Sequence, residues 1–167
     1  MDVPVRATAP SRLNSRAGGR RRAAILAVLL ASVAACGTPG ISDPGYELVK
    51  AALEAGFPVL PVPGASAPIA ALTVSGLPTD SFLYLGYLPH KAGERRKALR
   101  TASGAPYTLI FLESPYRIVE ALEDMLSELG DRRVLVAREM TKMFEEYWRG
   151  LLSGALEHFR AQPARGE

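Results

Sequence analysis

The fold is decided by the stretch FLYLGYLPHKAGERRKALRTASGAPYTLIFL, residues 82–112. It opens with an apolar run over residues 82–88, which Pro89 ends, and it closes with a second apolar run over residues 107–112. Short apolar runs between turn-forming residues are typical of buried strands. The charged segment between them, residues 92–103, is predicted to be a helix. The stretch therefore predicts a strand, a helix and a strand in succession, and this alternation indicates an α/β fold.

The pattern continues toward the carboxyl end. Ser114-Pro115 is expected to open a helix, and Gly130 is expected to end it, as glycine commonly does. The apolar face of this helix holds Ile118, Val119, Leu122, Met125, Leu126 and Leu129. A strand is predicted over residues 133–138, a further strand or hairpin arm over 144–152, and a short helix over 153–160. Trp148 is expected in or over the core, and both His90 and His158 on the surface.

The residues before this region predict a similar alternation. Apolar spacing indicates a helix over residues 46–55, which Gly56 ends. The run FPVLPV, residues 57–62, is expected to form a short buried strand near a sheet edge, because its prolines restrict hydrogen bonding. A tight loop at residues 63–66 then leads into a helix over residues 67–74. The turn formers of residues 75–80 are the best predicted domain boundary.

Composition excludes several classes of protein. Of 167 residues, 48% are hydrophobic and 22% charged, which is ordinary globular composition. A single cysteine, Cys36, excludes an intrachain disulfide and a cysteine-rich zinc site, and two histidines are too few for a His-rich metal site. The sequence contains no Gly-x-Gly-x-x-Gly, no P-loop and no Gly-x-Ser-x-Gly. It therefore lacks the usual motifs for binding nucleotide phosphates and the nucleophile motif of serine hydrolases.

The net charge of +3 comes from the first 35 residues. They contain six of the 20 basic residues and one of the 17 acidic residues, which leaves 14 basic and 16 acidic residues in the rest of the chain. Residues 1–22 are expected to be disordered. Residues 23–35, AAILAVLLASVAA, are open to two interpretations: the apolar core of a secretory signal, with Cys36 in a lipoprotein-like cleavage box, or a buried strand that leads into the turn Gly37–Gly40.

Four polar clusters are candidate sites, each with a purely structural alternative. Pro63-Gly64-Ala65-Ser66 precedes a helix, whose first N–H groups can hold a ligand, but it can also be a plain turn. Lys91, Arg95, Arg96, Lys97 and Arg100 form a basic stripe that suits phosphates, or else a solvated helix face. Residues 113–117 and 138–142 each follow a strand, at the edge where α/β folds bind ligands. Their alternatives are a helix cap with a local ion pair, and a surface loop.

Taken in order, six blocks resemble the ribosomal RNA small-subunit methyltransferase I family, within the tetrapyrrole-methylase superfamily. The blocks are GTPGISDPGYELV (37–49), PVPGASAPIAALTVSGLPTD (61–80), YLGYLPHKAGERRKAL (84–99), TLIFLESPYR (108–117), LEDMLSELGDRRVLVAREMTK (122–142) and EEYWRG (145–150). The resemblance covers roughly residues 37–167.

The resemblance implies two α/β domains with S-adenosylmethionine in the cleft between them, and 2′-O-methylation of a cytidine ribose in small-subunit ribosomal RNA of the 30S subunit. It also implies a cytoplasmic protein, usually a homodimer, with no membrane partner and no metal. By this resemblance the cofactor contacts are Gly37, Thr38, Pro39, Pro63, Gly64, Ala65, Ser66, Tyr84, Glu113 and Thr141. The expected RNA contacts are Lys91, Arg95, Arg96, Arg100, Arg117 and Lys142. No residue is assigned as the catalytic base.

The chain departs from the family pattern at both ends. A Ser-Asp-Ala motif is expected before Gly37, where Ala34-Ala35-Cys36 stands, and a final apolar strand is expected after residue 167. These departures predict a leader over residues 1–36, a remnant of the cofactor domain over 37–79 and a second domain over 80–167. They also predict weak or no activity for this polypeptide alone. Three alternatives stay open: a lipoprotein-type binding module anchored at Cys36, a non-catalytic RNA-binding remnant, and a tetrapyrrole methyltransferase.

Overall fold

The computed structural model describes residues 45–164, and the chain divides into two compact units, residues 1–60 and 61–167. The described part contains five helices and four strands. The helices are α1 (Gly45–Glu54), α2 (Ala67–Thr73), α3 (Ala92–Ala102), α4 (Ile118–Leu129) and α5 (Leu152–Ala161). The strands are β1 (Phe82–Tyr87), β2 (Thr108–Leu112), β3 (Arg133–Arg138) and β4 (Glu146–Leu151). The predicted α/β class is confirmed.

The described part of the first unit is helix α1 and the residues that follow it. The helix confirms the prediction for residues 46–55 to within a residue at each end, and Gly56 ends it with a φ of 75°. The predicted strand at residues 57–62 is wrong, because the structure has coil there. Pro58 and Pro61 remove two backbone donors from this short run, and Leu60 is 83% exposed, so burial does not favour a strand either.

The second unit contains a parallel strand pair. β1 and β2 pair from Phe82 opposite Thr108 to Tyr87 opposite Leu112, and α3 lies between them in the chain. The register shifts between Tyr84 and Gly86, which is a bulge, and Gly86 has a φ of 65° that glycine adopts readily. The stretch quoted first thus forms the predicted strand–helix–strand unit.

A second sheet is an antiparallel hairpin of β3 and β4. Arg133 lies opposite Leu151 and Arg138 opposite Glu146, and residues 139–145 connect the two strands. β3 has the predicted bounds, while β4 begins two residues later than expected. Helix α4 begins at Ile118, later than the predicted start at Ser114-Pro115, because residues 115–117 form a turn.

The core lies among α3, α4 and α5. Its largest fully buried side chains are Leu99, Leu122, Leu152 and Phe159, one or two from each helix. Trp148 packs against this cluster, as predicted.

Within residues 45–164, no helix has the length and apolar character needed to cross a membrane. The apolar run at residues 23–35 and the turn Gly37–Gly40 lie outside the described residues.

Helix α2 belongs to the second unit, whereas the predicted boundary at residues 75–80 would separate it from β1. Two contacts hold the end of α2 in this unit. The Arg149 guanidinium donates to the Val74 carbonyl oxygen through Nε at 3.1 Å and Nη2 at 2.7 Å, and the Thr108 hydroxyl donates to the Pro78 carbonyl oxygen at 2.7 Å. A cation at the carboxyl end of a helix also complements the helix dipole.

Candidate functional site

The carboxyl ends of β1 and β2 carry the most constrained polar group of the second unit. Glu113 follows β2 directly, and its side chain is 5% exposed. Its Oε1 accepts a hydrogen bond from the Ser114 N–H at 2.7 Å and forms an ion pair with Arg117. In the described residues, Glu113 Oε2 and Arg117 Nε are buried and have no hydrogen-bond partner. Because buried polar atoms are nearly always paired, these two atoms are the ones that a polar ligand would satisfy.

The same guanidinium reaches the neighbouring strand. Arg117 Nη1 donates to the Leu88 carbonyl oxygen, directly after β1, at 3.5 Å. Arg117 therefore connects Glu113 to the turn that leaves β1. This is the edge at which parallel α/β sheets bind ligands, as the sequence predicts. The helix-cap alternative is only partly met: the Ser114 hydroxyl accepts from the Tyr116 N–H at 3.3 Å, within the turn that precedes α4.

The loop after β3 is strained. Glu139 has a φ of 50° and Thr141 a φ of 65°, which is a rare conformation for residues other than glycine and rarer still for a β-branched one. Such a conformation costs on the order of 1–3 kcal/mol and is often found at functional sites. The Thr141 N–H donates to Glu145 Oε1 at 2.8 Å, and Lys142 Nζ lies 3.3 Å from Glu139 Oε1. The hydrogen bonds from the Tyr147 hydroxyl and from Thr141 lower the pKa of Glu145.

An open cleft of about 500 Å³ borders this loop. It is lined by Arg138, Glu139, Phe144, Glu146, His158, Gln162 and Pro163. Glu146 pairs with Arg138, and its Oε1 lies 3.2 Å from His158 Nε2. Burial raises the pKa of Glu146, but the hydrogen bond and charge of Arg138 and the contact with His158 outweigh this, so the pKa is lowered. The expectation that His158 is exposed is wrong, because its side chain is only 26% exposed.

The basic stripe of α3 faces a row of acids on α4. Asp124, whose side chain is 3% exposed, accepts from Arg95 Nε and from Arg96 Nε, both at 2.6 Å. Burial raises the pKa of Asp124, but the two arginines outweigh this, so the net pKa is lowered. Further along, Arg100 Nε lies 2.9 Å from Glu128 Oε2. The three arginines of the stripe therefore form an interhelical row of ion pairs, which neither of the two sequence interpretations includes.

Arg95 requires a correction as a candidate RNA contact. Its side chain is 4% exposed, and besides Asp124 it contacts Glu120 and the His90 carbonyl oxygen. A phosphate cannot reach a guanidinium that is buried in this way. Arg96 and Arg100 are paired but remain more than half exposed, and Lys91, 81% exposed, lies 3.4 Å from Glu94 Oε1. His90 is on the surface, as predicted.

The other predicted contacts to the cofactor lie in three separate segments of the chain. Residues 63–66 form coil before α2, where Ser66 has an extended backbone and makes no side-chain cap. Tyr84 is half-buried within β1, at the bulge. Gly37, Thr38 and Pro39 lie outside the described residues. The structure thus brings together Glu113 with Arg117, and Glu139 with Lys142.

Sequence reasoning missed the acidic partners of the arginines. Asp124 and Glu128 are four residues apart on α4, the same spacing that separates Arg96 from Arg100 on α3. Matching spacing on two helices that flank one strand was the available signal. The cleft residues Glu146 and His158 carried no such signal, because they are brought together only by the hairpin and the packing of α5. Among residues 45–164, no group of three or more His, Cys, Asp or Glu side chains could hold a metal ion.

Comparisons with known proteins show the family of this chain. The family model for tetrapyrrole (corrin/porphyrin) methylases matches residues 8–155, and the chain belongs to this family. The matched span includes most of residues 1–36, which the sequence pattern alone assigns to a leader.

Several curated relatives have one name, ribosomal RNA small subunit methyltransferase I. The relative from Halalkalibacterium halodurans is 48% identical over 138 residues, which is 83% of this chain and 48% of the relative. Those from Mesorhizobium japonicum and Micromonospora olivasterospora are also 48% identical, over 79% and 83% of this chain and 45% and 44% of their own lengths. The chain spans about half the length of the curated relatives that it matches.

Proposed function

We propose that this chain contributes to an S-adenosylmethionine-dependent methyltransferase that methylates a cytidine ribose 2′-oxygen in small-subunit ribosomal RNA. The observation that carries the proposal is the 48% identity, over 138 residues, to a protein named ribosomal RNA small subunit methyltransferase I. A cytoplasmic location, the 30S subunit as substrate and a homodimeric assembly follow from the same resemblance and belong to the proposal.

RNA is favoured over a tetrapyrrole by the relatives' names and not by the basic helix. The three arginines of α3 are paired with two carboxylates, those of Asp124 and Glu128, so their number overstates the positive charge that a phosphate backbone would meet. Lys91, 81% exposed, lies in the turn after β1, at the edge of the sheet that carries Glu113, and is the cation that we assign to a phosphate. Its role would be to position RNA, since phosphate contacts carry no sequence information.

Two features of the described residues support the assignment of the donor molecule. Glu113 Oε2 is a buried acceptor without a partner in the described residues, and it would accept an N–H or O–H from the cofactor. The strained backbone at Thr141 holds the second predicted contact in a conformation that the loop itself does not favour. When bound, S-adenosylmethionine would supply a methyl group from its sulfonium sulfur, and the neutral thioether that remains is a good leaving group.

The protein's contribution is then orientation. A ribose hydroxyl is a weak nucleophile at neutral pH, so the RNA must be held with this oxygen in line with the methyl group, and its proton must have an acceptor. Lys91 would hold the RNA backbone, and Arg117 would fix Glu113 in its place. No described residue is assigned to the proton.

The proposal is tested with the full chain and methyl-tritiated S-adenosylmethionine. Unmethylated 30S subunits are incubated for hours, so that even slow transfer registers, and the product is digested and analysed for 2′-O-methylcytidine. We expect slow incorporation that depends on the chain, and a further reduction in Glu113→Gln but not in Glu128→Gln. Incorporation no greater than with heat-inactivated chain would show that this polypeptide alone is inactive, whereas tritium in a product other than 2′-O-methylcytidine would overturn the proposal.

A nuclear magnetic resonance titration tests the cofactor part separately. Millimolar S-adenosylmethionine should shift the backbone amides of Glu113 and Thr141, because weak binding is still detected at this concentration. The amide of Glu128, near the carboxyl end of α4 and so at the opposite end of this helix from Glu113, is the internal control. Shifts spread evenly over the chain, or none at all, would contradict the assigned cofactor contacts.

A further inference from the structure

The turn that leaves β1, residues 88–91, is held by two guanidiniums, that of Arg95, 4% exposed, and that of Arg117, 16% exposed. We call it the β1 exit turn. Arg95 Nη1, from α3, donates to the His90 carbonyl oxygen at 3.3 Å, and Arg117 Nη1, from the turn before α4, donates to the Leu88 carbonyl oxygen at 3.5 Å. Leu88 itself is 3% exposed and lies in the core. The backbone of the turn is therefore anchored by its first side chain and by two cations.

Each guanidinium is in turn held by a buried carboxylate. Arg95 donates to Asp124 at 2.6 Å, and Arg117 pairs with Glu113. A planar guanidinium can bind a carboxylate with one edge and a carbonyl with another, which an ammonium group on a flexible chain does poorly. This difference explains why each of the two positions holds an arginine and not a lysine. It also explains why Arg95 is buried although the other basic residues of α3 are exposed.

Lys91 is the last residue of the β1 exit turn. It follows the His90 carbonyl group directly, precedes the first residue of α3, and has a side chain 81% exposed. A cation on a fixed backbone loses less conformational freedom when it binds than one on a mobile loop. The turn thus holds one exposed cation at the carboxyl end of the parallel strand pair.

We propose that Arg95 and Arg117 are positioning residues that fix the β1 exit turn, so that Lys91 contacts an RNA phosphate from a preset place. This inference rests on the proposed function, since it takes RNA as the partner. It assigns to Arg95 an indirect role in place of a direct phosphate contact. Arg95 therefore acts through Lys91, and the two residues must be energetically coupled.

A double-mutant cycle on the full chain tests the coupling. The variants are Arg95→Lys, Lys91→Gln and both together, and the probe is a fluorescent RNA hairpin of the small-subunit decoding region. We expect each single variant to weaken binding about threefold to tenfold at low salt, and the double variant to be no weaker than Lys91→Gln. Losing one phosphate contact should also reduce the slope of log K against log salt by about 0.7–0.9.

Arg160→Lys is the matched control, because Arg160 also donates to a carboxylate of α4, Glu123 Oε1, at 2.6 Å, but is 55% exposed and is not among the expected RNA contacts. Its effect should be small and additive with that of Lys91→Gln. Hydrogen exchange of the His90 and Lys91 amides provides a readout independent of RNA. We expect faster exchange in Arg95→Lys than in Arg160→Lys.

The outcomes separate the two levels of the proposal. Additive losses, with a further reduction of the salt slope in the double variant, would overturn the positioning role, because Arg95 would then bind a phosphate itself. If the wild-type chain does not bind the RNA, the proposed function fails, and equal exchange rates in the two arginine variants would overturn the anchoring as well. If Arg95→Lys does not fold, Arg117→Lys is carried through the same cycle.

Discussion

Asp124 is a buried carboxylate between α3 and α4 that is shared by two arginines. Its carboxylate oxygens each accept one 2.6 Å hydrogen bond, from Arg95 and from Arg96. In Asp124→Asn the buried Arg95 would lose its nearest charged partner and keep only Glu120, at 3.6 Å, and breaking a buried pair in this way typically costs about 3–5 kcal/mol. We expect the free energy of unfolding, measured in urea at pH 7, to fall by about this amount.

Glu128→Gln is the control for this substitution. Arg100, the partner of Glu128, is 69% exposed, so solvent screens the pair and its loss should have little effect. Equal destabilisation by the two substitutions would contradict the distinction between a buried and an exposed pair.

The lowered pKa of Asp124 also predicts how stability depends on pH. A carboxyl group with a lower pKa in the folded state than in the unfolded state binds its proton more weakly when folded, so it stabilises the fold above the unfolded pKa. The ordinary value for Asp is 3.8, and the folded value lies below it. The stabilisation should be complete at neutral pH and disappear as the pH falls below 3.8 through the folded pKa.

Urea titrations between pH 7 and pH 2.5 measure this dependence. Asp124→Asn should flatten the acid part of the curve relative to the wild type, but should not abolish it, because the pKa of Glu146 is also lowered from its ordinary value of 4.5. If the free energy of unfolding depended on pH in the same way in wild type and variant, Asp124 would have the same pKa in the folded and the unfolded state.

At the scale of elements, the contact between β4 and α5 depends on two glycines beneath one indole ring. A Cβ added to Gly150 would lie 3.0 Å from Trp148 Cζ2 and Cζ3 and closer still to Cη2, whereas at Gly154 it would be in ordinary contact at 3.4 Å. The chain has one tryptophan, so its fluorescence reports on this contact alone. Gly150→Ala must displace the ring, and overpacking of this kind costs about 1–3 kcal/mol.

The measurement is the emission spectrum together with urea unfolding. Gly93→Ala is the control, because a Cβ there meets nothing within 4 Å and alanine is favoured over glycine in a helix by up to about 1 kcal/mol. We expect a shifted spectrum and lower stability only in Gly150→Ala. An unchanged spectrum would mean that the ring does not pack over Gly150.

The elements also indicate what a sequence can and cannot predict here. The apolar spacing of α4 identified Leu122 and Met125 as buried, and this was confirmed because the period of a helix is a local property. The apolar run FPVLPV was misassigned, because burial is a tertiary property and this run is exposed. Strand ends were correctly predicted to carry the polar residues. The Arg95–Asp124 pair, 29 residues apart, depends on how two helices pack.

At the scale of the whole molecule, the described core lies within one of the two units. All the buried residues that surround Leu99, Leu122 and Phe159 fall between residues 88 and 159, inside the unit of residues 61–167. The described partners of Trp148 lie there too. A domain with its own hydrophobic core can in principle fold alone.

We therefore expect a fragment of residues 61–167 to unfold cooperatively in urea. The surroundings of Trp148 lie within the fragment. The near-ultraviolet circular dichroism and the emission spectrum of the fragment should therefore match those of the full chain. The fragment with Leu122→Ala is the control, since loss of this buried side chain should lower stability by about 2–5 kcal/mol if the core is intact. A broad transition that Leu122→Ala leaves unchanged, with strong binding of a hydrophobic dye, would show that the core requires the residues before position 61.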